Sequence, residues 1–233
     1  MNASGTIHAF PIEIRLDRHL KANLFVPHEV LIGLFSDFYE PAERTLLPVI
    51  YNSGDRVLEI GSGVGFVTLI LGSRCEFVLG LEALPDYAEV ARTNVSINSL
   101  SNIVILSAMG YISNGEVAFH YRNPPYFSSF VQDQIGMEYR TNDIITVPTI
   151  DVNELIDQYN INAVHLDAEG SERELIPHIL SGPNIANVNK ISWDTHTHII
   201  GIAGNHKLFY ALMDAGFEPV VISGAYFFPT RCY

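Results

Sequence analysis

Cysteine and basic residues are both scarce in this sequence of 233 residues. Only two cysteines occur, Cys75 and Cys232, so the sequence indicates neither a disulfide framework nor a cysteine metal site. The 13 lysines and arginines are outnumbered by 26 acidic residues, which gives a formal net charge of −13. Because nucleic-acid affinity comes largely from neutralising phosphates, we expect a small-molecule substrate and no nucleic-acid partner.

Long apolar runs are also missing. No uninterrupted apolar stretch reaches the roughly 18 residues that a membrane helix needs. Residues 1–5 lack the basic and apolar regions of a secretory signal, so we expect a cytoplasmic protein without membrane contact. Apolar residues nevertheless make up 48% of the chain, enough for a large buried core. The sequence leaves open whether the protein is a monomer or a homodimer.

Short apolar strands alternate with amphipathic helices from residue 55 onward. The predicted strands are residues 56–60, 77–81, 103–106, 164–167 and 191–193, and helices are expected to begin near residues 66, 85, 171 and 205. A closing antiparallel hairpin is predicted over residues 217–222 and 226–229. This order predicts an α/β fold, Rossmann-like and doubly wound, with a mostly parallel seven-stranded sheet.

Two regions depart from this alternation. Residues 1–50 predict an N-terminal extension packed on the core, with a strand at 8–14 and an amphipathic helix that includes Val30, Leu34 and Phe38. Residues 122–143 form a long polar and aromatic connection between two strand-like segments, which predicts a lid or substrate loop. Within it, Tyr126 and Ser128 could stack on and hydrogen-bond a substrate, although simple packing explains them equally well.

Glycines mark the end of the first core strand. Gly61, Gly63 and Gly65 permit a tight turn and close approach of backbone N–H groups to a ligand. Glu82 follows the second strand, where such folds hydrogen-bond a ribose. Phe66 stands where a dinucleotide motif requires its third glycine, which favours a nucleoside ligand without pyrophosphate. The neighbouring Glu59 is compatible with a cationic ammonium or sulfonium group.

Two segments resemble known methyltransferase motifs. The sequence Val-Leu-Glu-Ile-Gly-Ser-Gly-Val-Gly at residues 57–65 resembles motif I of the class I methyltransferases. His-Leu-Asp-Ala-Glu-Gly-Ser-Glu at residues 165–172 resembles the Lys-Ile-Asp-Val-Glu-Gly-x-Glu signature of the FkbM family, and residues 147–151 are similar to the lead-in of that signature. The resemblance covers about residues 45–220. It implies that residues 51–233 form a methyltransferase domain that uses S-adenosylmethionine to methylate a hydroxyl on a sugar, a glycosylated compound or another small metabolite.

The resemblance also implies roles for individual residues. It assigns cofactor contacts to the glycine turn and to the ends of three strands, namely Gly61, Gly63, Gly65, Glu82, Ala108 and Asp167. Asp167 and Glu169 would face the site of methyl transfer. His165 replaces the lysine of the family, and Asp194 is the acid at the end of the fifth strand. Both are predicted to contact the substrate.

A hydroxyl acceptor calls for a base that removes its proton. Asp167 is the first candidate, because ligands bind at the carboxyl ends of the strands in this architecture, although a pure binding role stays open. Glu169 lies near it, and His196 is an alternative base, since an ordinary histidine has a pKa near neutrality. Asp194, His196 and His198 could bind a metal together with Asp167, but a polar loop is the preferred interpretation and no metal is predicted.

Three other functions remain open at this point. They are N-methylation of a small amine, NAD(P)-dependent oxidoreduction and non-catalytic binding of S-adenosylmethionine. Phe66 and the Asp-x-Glu-Gly-x-Glu stretch speak against an oxidoreductase. The departures at His165 and Asp194 leave the non-catalytic function open.

Overall fold

The computed structural model describes residues 9–15, 21–27, 40–121, 144–222 and 225–228. Two antiparallel strands, β1 (Ala9–Arg15) and β2 (Lys21–Pro27), form a separate ribbon. β1 agrees with the predicted strand at 8–14, whereas β2 was not predicted. The predicted helix around Val30, Leu34 and Phe38 lies outside the described residues, as does the loop at 122–143 with Tyr126 and Ser128.

The first half of the main domain alternates helices and parallel strands. Its elements are α1 (Pro41–Ile50), β3 (Arg56–Ile60), α2 (Phe66–Gly72), β4 (Phe77–Glu82), α3 (Pro85–Ile97) and β5 (Ile103–Ser107). Pro85 occupies the first turn of α3, where its missing N–H costs nothing, as expected from the sequence. The bounds of the three strands and the starts of α2 and α3 agree with the predictions to within one residue, whereas α1 was not predicted.

A small second sheet interrupts this alternation. It consists of β6 (Met109–Tyr111), β7 (Gly115–His120) and β8 (Ile144–Asp151), with β8 in the middle. The helix α4 (Val152–Gln158) follows at once, and the Asp151 carboxylate caps it by accepting the N–H of Asn153 at 2.9 Å. β7 and β8 correspond to the two strand-like segments predicted on either side of residues 122–143, whereas β6 and α4 were not predicted.

The second half completes the main sheet. Its elements are β9 (Ala163–Leu166), α5 (Glu172–Leu180), a short 3₁₀ turn (Ile185–Asn187), β10 (Lys190–Trp193), α6 (Thr197–Asp214), β11 (Val220–Ile222) and β12 (Ala225–Phe228). The strand order is β11-β12-β10-β9-β3-β4-β5. The five strands from β10 to β5 are parallel, and the hairpin β11–β12 joins antiparallel at one edge. The predicted Rossmann-like fold is therefore confirmed.

Alternate residues of the central strands feed two separate cores. Val57 and Val78 point into a core with α1, α2 and α3, whereas Leu58 and Leu79 point into a core with α4, α5 and α6. All four side chains are completely buried. A sheet covered on both faces explains why its strands are almost continuously apolar.

One local prediction was wrong in a way that affects the site. The helix after β10 was expected near residue 205, but α6 begins at Thr197 and bends at Gly201. The Ser171 hydroxyl, just before α5, donates to the carbonyl of Ala168 and does not cap the helix. In the described ranges, no helix is both long and apolar enough to cross a membrane.

One buried ion pair ties the start of β3 to the start of β10. The Lys190 Nζ donates to both carboxylate oxygens of Asp55, at 2.7 and 3.0 Å, and both side chains are more than nine-tenths buried. The Asn52 N–H also donates to this carboxylate at 2.7 Å. A charge removed from water in this way depends on its partner, because desolvation is costly.

We expect Lys190→Met to lower the free energy of unfolding by about 3–5 kcal/mol, since it leaves the Asp55 charge buried without its counter-ion. Asp55→Asn combined with Lys190→Met should recover much of the loss. Urea denaturation followed by the fluorescence of the single, fully buried Trp193 measures both values. Arg173→Met, which breaks an exposed pair with Glu174, is the control and should cost less than about 1 kcal/mol. If Lys190→Met and Arg173→Met lowered the free energy of unfolding equally, the buried ion pair would not have the role assigned to it.

Candidate active site

A cleft opens at the carboxyl edge of β3, β4 and β9 and holds about 950 Å³ of atom-free space, part of it open to solvent. Among the predicted site residues, those that line it are Gly61, Gly63, Glu82, Ala108, Asp167 and Glu169. Apolar and aromatic side chains form much of the remaining wall, including Phe66, Leu81, Tyr87, Met109 and Phe119. A mostly apolar cleft with a few polar groups is typical of a small-molecule site.

The glycine turn fits tightly against its surroundings. The N–H groups of Gly61 and Ser62 both donate to the carbonyl of Leu81, which fastens the turn to β4. Gly61 has φ +95°, and a β-carbon at this position would overlap the backbone carbonyl of Asp167. Gly65 has φ +83° and precedes α2, where a β-carbon would lie 3.2 Å from Ala91. Both positions therefore require glycine.

Glu82 lies at the end of β4 beside this turn. Its carboxylate accepts the N–H of Gly63 and the N–H of Leu84, each at 2.8 Å. Burial raises the pKa of Glu82 to about 7, against the opposing effect of these two hydrogen bonds. The result is a carboxylate held rigidly at the cleft wall.

Glu59 has a different position from the one predicted. Its side chain is completely buried, and its Oε2 accepts hydroxyl hydrogen bonds from Ser62 at 2.9 Å and from Thr68. It does not line the cleft, so it supports the turn from behind instead of facing a ligand. Burial raises the pKa of Glu59 to about 7, although both hydroxyls oppose the shift.

Four carboxylates surround the ring of His196, and we call Asp167, Glu169, Glu172 and Asp194 the acidic corner. The ring Nε2 lies 3.3 Å from Asp167 Oδ1 and 3.7 Å from both Glu169 Oε1 and Asp194 Oδ2. The ring Nδ1 lies 3.0 Å from Glu172 Oε1. Burial alone would lower the pKa of His196, but Glu172 first, and then Asp167 and Glu169, raise it well above its usual range.

This environment corrects the idea that His196 acts as a base. A ring with so high a pKa keeps its proton at neutral pH as long as no metal cation displaces it, so His196 is a poor candidate for the base. His196 also has φ +37° and stands at the start of α6. The segment from Asp194 to His198 is therefore not extended.

Glu172 organises the loop that carries the acidic corner. It is completely buried, and it accepts the N–H groups of Ala168 and Gly170, both at 2.8 Å, in addition to facing His196. Burial alone would raise the pKa of Glu172, but the His196 ring and these N–H groups lower it. Glu169, in the same loop, has φ +47°. Left-handed residues other than glycine cost about 1–3 kcal/mol and cluster at functional sites.

The other predicted site residues differ in their access to the cleft. His165 is only 1% exposed, and its Nδ1 pairs with the Ser192 hydroxyl at 2.9 Å, so its position gives no support to a substrate contact. Burial lowers the pKa of His165 to about 4. Asp194 is about half exposed at the rim of the acidic corner. The His198 ring packs edge-on against His196, with a centroid distance of 5.9 Å.

Sequence reasoning missed two acids of the N-terminal segment. Glu40 lines the cleft in a left-handed conformation immediately before α1. Burial, followed by the charge of Asp167, raises the pKa of Glu40 well above its usual range. Glu43 lies nearby in the first turn of α1, and burial raises its pKa to about 7. Nothing in the sequence around residues 40–43 signals this proximity to β9, because only the fold brings the two segments together.

Comparison with known sequences connects the first half of the domain to methyltransferases. The family model described as Protein-L-isoaspartate(D-aspartate) O-methyltransferase (PCMT) matches residues 42–123, about a third of the chain. Protein-L-isoaspartate O-methyltransferase 2 of Marinobacter nauticus is 27% identical over 46% of this chain and 50% of its own length. The tRNA (uracil-5-)-methyltransferase homolog A of Homo sapiens is 34% identical over 33% of this chain and 14% of its own. The chain thus spans at most half the length of these relatives.

Comparison with solved structures agrees on the fold. The FkbM methyltransferase of Methylobacillus flagellatus superposes with a TM-score of 0.51 and 12% identity, over 76% of this chain and 44% of that one. At this identity the likeness shows the fold alone, which is that of a class I methyltransferase. Together with the sequence matches, this fold supports the prediction that the chain is an S-adenosylmethionine-dependent methyltransferase. Membership of the FkbM family in particular stays a prediction.

The buried Glu59 predicts how stability depends on pH. The carboxyl ionises near pH 4.5 in the unfolded chain and near pH 7 in the folded protein. Folding therefore takes up a proton between these values, so the free energy of unfolding falls as the pH rises and levels off above about 7. The fall attributable to this carboxyl amounts to about 3 kcal/mol.

Glu59→Gln should remove this fall while keeping an acceptor for Ser62 and Thr68. The difference in the free energy of unfolding between the variant and wild type should therefore change steadily from pH 5 to pH 7. Urea denaturation at a series of pH values measures it. Exposed Glu116→Gln is the matched control and should leave the shape of the curve unchanged. A constant difference between Glu59→Gln and wild type would show that this carboxyl does not titrate on folding.

Proposed function

We propose that this chain is a methyltransferase that binds S-adenosylmethionine in the cleft and methylates a hydroxyl group of a small molecule. The observation that carries the proposal is the meeting, in one cleft, of the glycine turn, the buried Glu82 carboxylate and the acidic corner. The predicted contacts of Gly61, Gly63, Glu82 and Ala108 with the cofactor remain part of this proposal.

The cleft suits a nucleoside that carries a positive charge. The Glu82 carboxylate is placed to accept hydrogen bonds from ribose hydroxyls, as acids at this strand end do in related architectures. Apolar and aromatic neighbours such as Met109 and Phe119 provide a surface for a base. Asp167, at the other end, would stabilise a cationic sulfonium or ammonium group. Phe66 fills the space that a pyrophosphate-binding glycine would leave open, which argues against NAD(P).

When bound, S-adenosylmethionine supplies an activated methyl group. The chain has to align an acceptor with that group, exclude water and take up a proton. Asp167 is the candidate for proton acceptance, because its carboxylate lines the cleft and remains about a quarter exposed. Glu169 also lines the cleft, but its side chain is less exposed than that of Asp167.

The acidic corner also restricts the acceptor. A carboxylate or a phosphodiester would be repelled by several negative charges of low solvent exposure, and the net charge of −13 extends that repulsion to long range. This argues against RNA and against acidic protein groups, although proteins named for those substrates are among the sequence relatives. A neutral hydroxyl fits, as on a sugar or another metabolite. A small amine is the second candidate, since the same corner attracts a cation.

Glu82→Gln should weaken the binding of S-adenosylmethionine about 10- to 100-fold, because a hydrogen bond to a charged group is worth about 1.5–3 kcal/mol. Wild-type affinity should also fall as the pH drops below about 7, where Glu82 gains a proton, and the variant should lose that dependence. Titration calorimetry measures both effects. Glu76→Gln, just before the opposite end of β4, is the control and should bind as wild type does. Binding of NAD in place of S-adenosylmethionine would overturn the proposal.

Incubation with S-adenosylmethionine and a panel of hydroxylated metabolites, glycosides and small amines should yield products heavier by one methylene, detected by mass spectrometry. Asp167→Asn should lower kcat about 100-fold or more, the usual contribution of a positioned base. Glu154→Gln, an exposed acid on α4, should retain wild-type turnover. Cofactor binding without any product across the panel would favour a non-catalytic binding module.

A further inference from the structure

Three carboxylate oxygens converge on a single nitrogen in the acidic corner. Those of Asp167, Glu169 and Asp194 lie 3.3–3.7 Å from the Nε2 of His196. One ring nitrogen offers one N–H or one lone pair, so it satisfies at most one of these oxygens well. The arrangement concentrates more negative charge than one imidazolium neutralises.

The spacing of these atoms matches a coordination sphere. One ligand atom from each of Asp167, Glu169 and His196 lies within 4.8 Å of the other two. Ligands bound at about 2.0–2.2 Å from a metal lie about 3 Å apart as neighbours and just over 4 Å apart across it. Small rotations of the two carboxylates therefore suffice to bring all three atoms onto one cation.

The orientation of His196 is fixed from behind. Glu172 accepts the Nδ1–H of this ring while it is itself held by the N–H groups of Ala168 and Gly170. A carboxylate on the far nitrogen of a histidine is the usual support of a metal ligand, because it fixes the ring and raises the basicity of the nitrogen that faces the metal. In this protein the supported ring directs its Nε2 towards Asp167 and Glu169.

We propose that Asp167, Glu169 and His196 form a site for one divalent metal cation at the edge of the cleft, with Glu172 as the carboxylate that orients His196. Two carboxylates and one imidazole suit a cation that accepts both oxygen and nitrogen, such as Mn²⁺ or Zn²⁺. This differs from the expectation drawn from sequence, which predicted no metal and considered Asp194 and His198 as partners instead of Glu169.

The site has a consequence for the reaction, and that consequence rests on the proposed function. A divalent cation beside Asp167 would hold the oxygen of a hydroxyl acceptor and make its proton easier to remove. It would also favour acceptors with two neighbouring oxygens, since a cation with three protein ligands has positions left for more than one oxygen.

The binding of the cation is tested directly on the full chain. Protein treated with a chelator and dialysed is titrated with Mn²⁺, and free Mn²⁺ is followed by electron paramagnetic resonance alongside calorimetry. We expect one Mn²⁺ per chain. Asp167→Asn and Glu169→Gln should each weaken its binding at least about 10-fold, and so should Glu172→Gln, since loss of an orienting carboxylate costs about 10- to 100-fold.

Asp151→Asn is the matched control, because Asp151 pairs with His178 at 2.8 Å outside the cluster. It should leave Mn²⁺ affinity unchanged. Thermal unfolding of every variant shows whether it is folded. If another variant does not fold, Glu169→Gln, whose side chain lines the cleft, still tests the site. Lack of Mn²⁺ binding up to about 1 mM, or equal affinity in wild type and Asp167→Asn, would overturn the proposal.

Titration of the same wild-type sample with S-adenosylmethionine separates this proposal from the preceding one. If the protein binds S-adenosylmethionine but does not bind Mn²⁺, the metal site is overturned and the methyltransferase proposal stands. If it binds Mn²⁺ but does not bind S-adenosylmethionine, the methyltransferase proposal is overturned and the metal site stands.

Discussion

The backbone carbonyl of Asp167 lies where a β-carbon at residue 61 would have to stand. This contact joins the turn after β3 to the loop after β9, and the Asp167 N–H, which donates to the carbonyl of Ile60 at 2.9 Å, strengthens the junction. Only glycine permits the approach. The cofactor side of the cleft and its acidic side are therefore one rigid unit, and a change in the turn would move Asp167 directly.

That junction brings acids close together, and the fold compensates each of them differently. Glu59 is stabilised by two hydroxyls, Glu82 by two backbone N–H groups, and Glu172 by two N–H groups and the His196 ring. Hydrogen bonds of this kind offset part of the cost of burying a carboxylate. Asp167 is more exposed than these three and lines the cleft, so the compensated acids form a frame around the accessible carboxylate that we propose as the base.

Local sequence patterns were enough to predict the parallel strands and the starts of α2, α3 and α5, because apolar runs and the Pro85 helix start act over a few residues. They were also enough to locate Glu82 beside the glycine turn, since both follow adjacent strands. They could not place Glu40 near Asp167 or Glu172 behind His196, because these contacts join distant segments. Glu59 and His165 differ from the expectation for a related reason: both stand within strands whose two faces are covered, so their side chains are buried although the neighbouring strand ends line the cleft.

The stretch Asp-x-Glu-Gly-x-Glu has a physical explanation in this structure. Its last acid, Glu172, accepts the N–H groups of Ala168 and Gly170, so it closes the stretch into a compact loop. Gly170, with φ +98°, and Glu169, with φ +47°, make the turn that this closure requires. The first two acids, Asp167 and Glu169, are thereby directed to the same side, towards the cleft and His196. In this motif one buried carboxylate therefore positions two accessible ones. Replacing Glu172 would displace both Asp167 and Glu169, although Glu172 itself does not line the cleft.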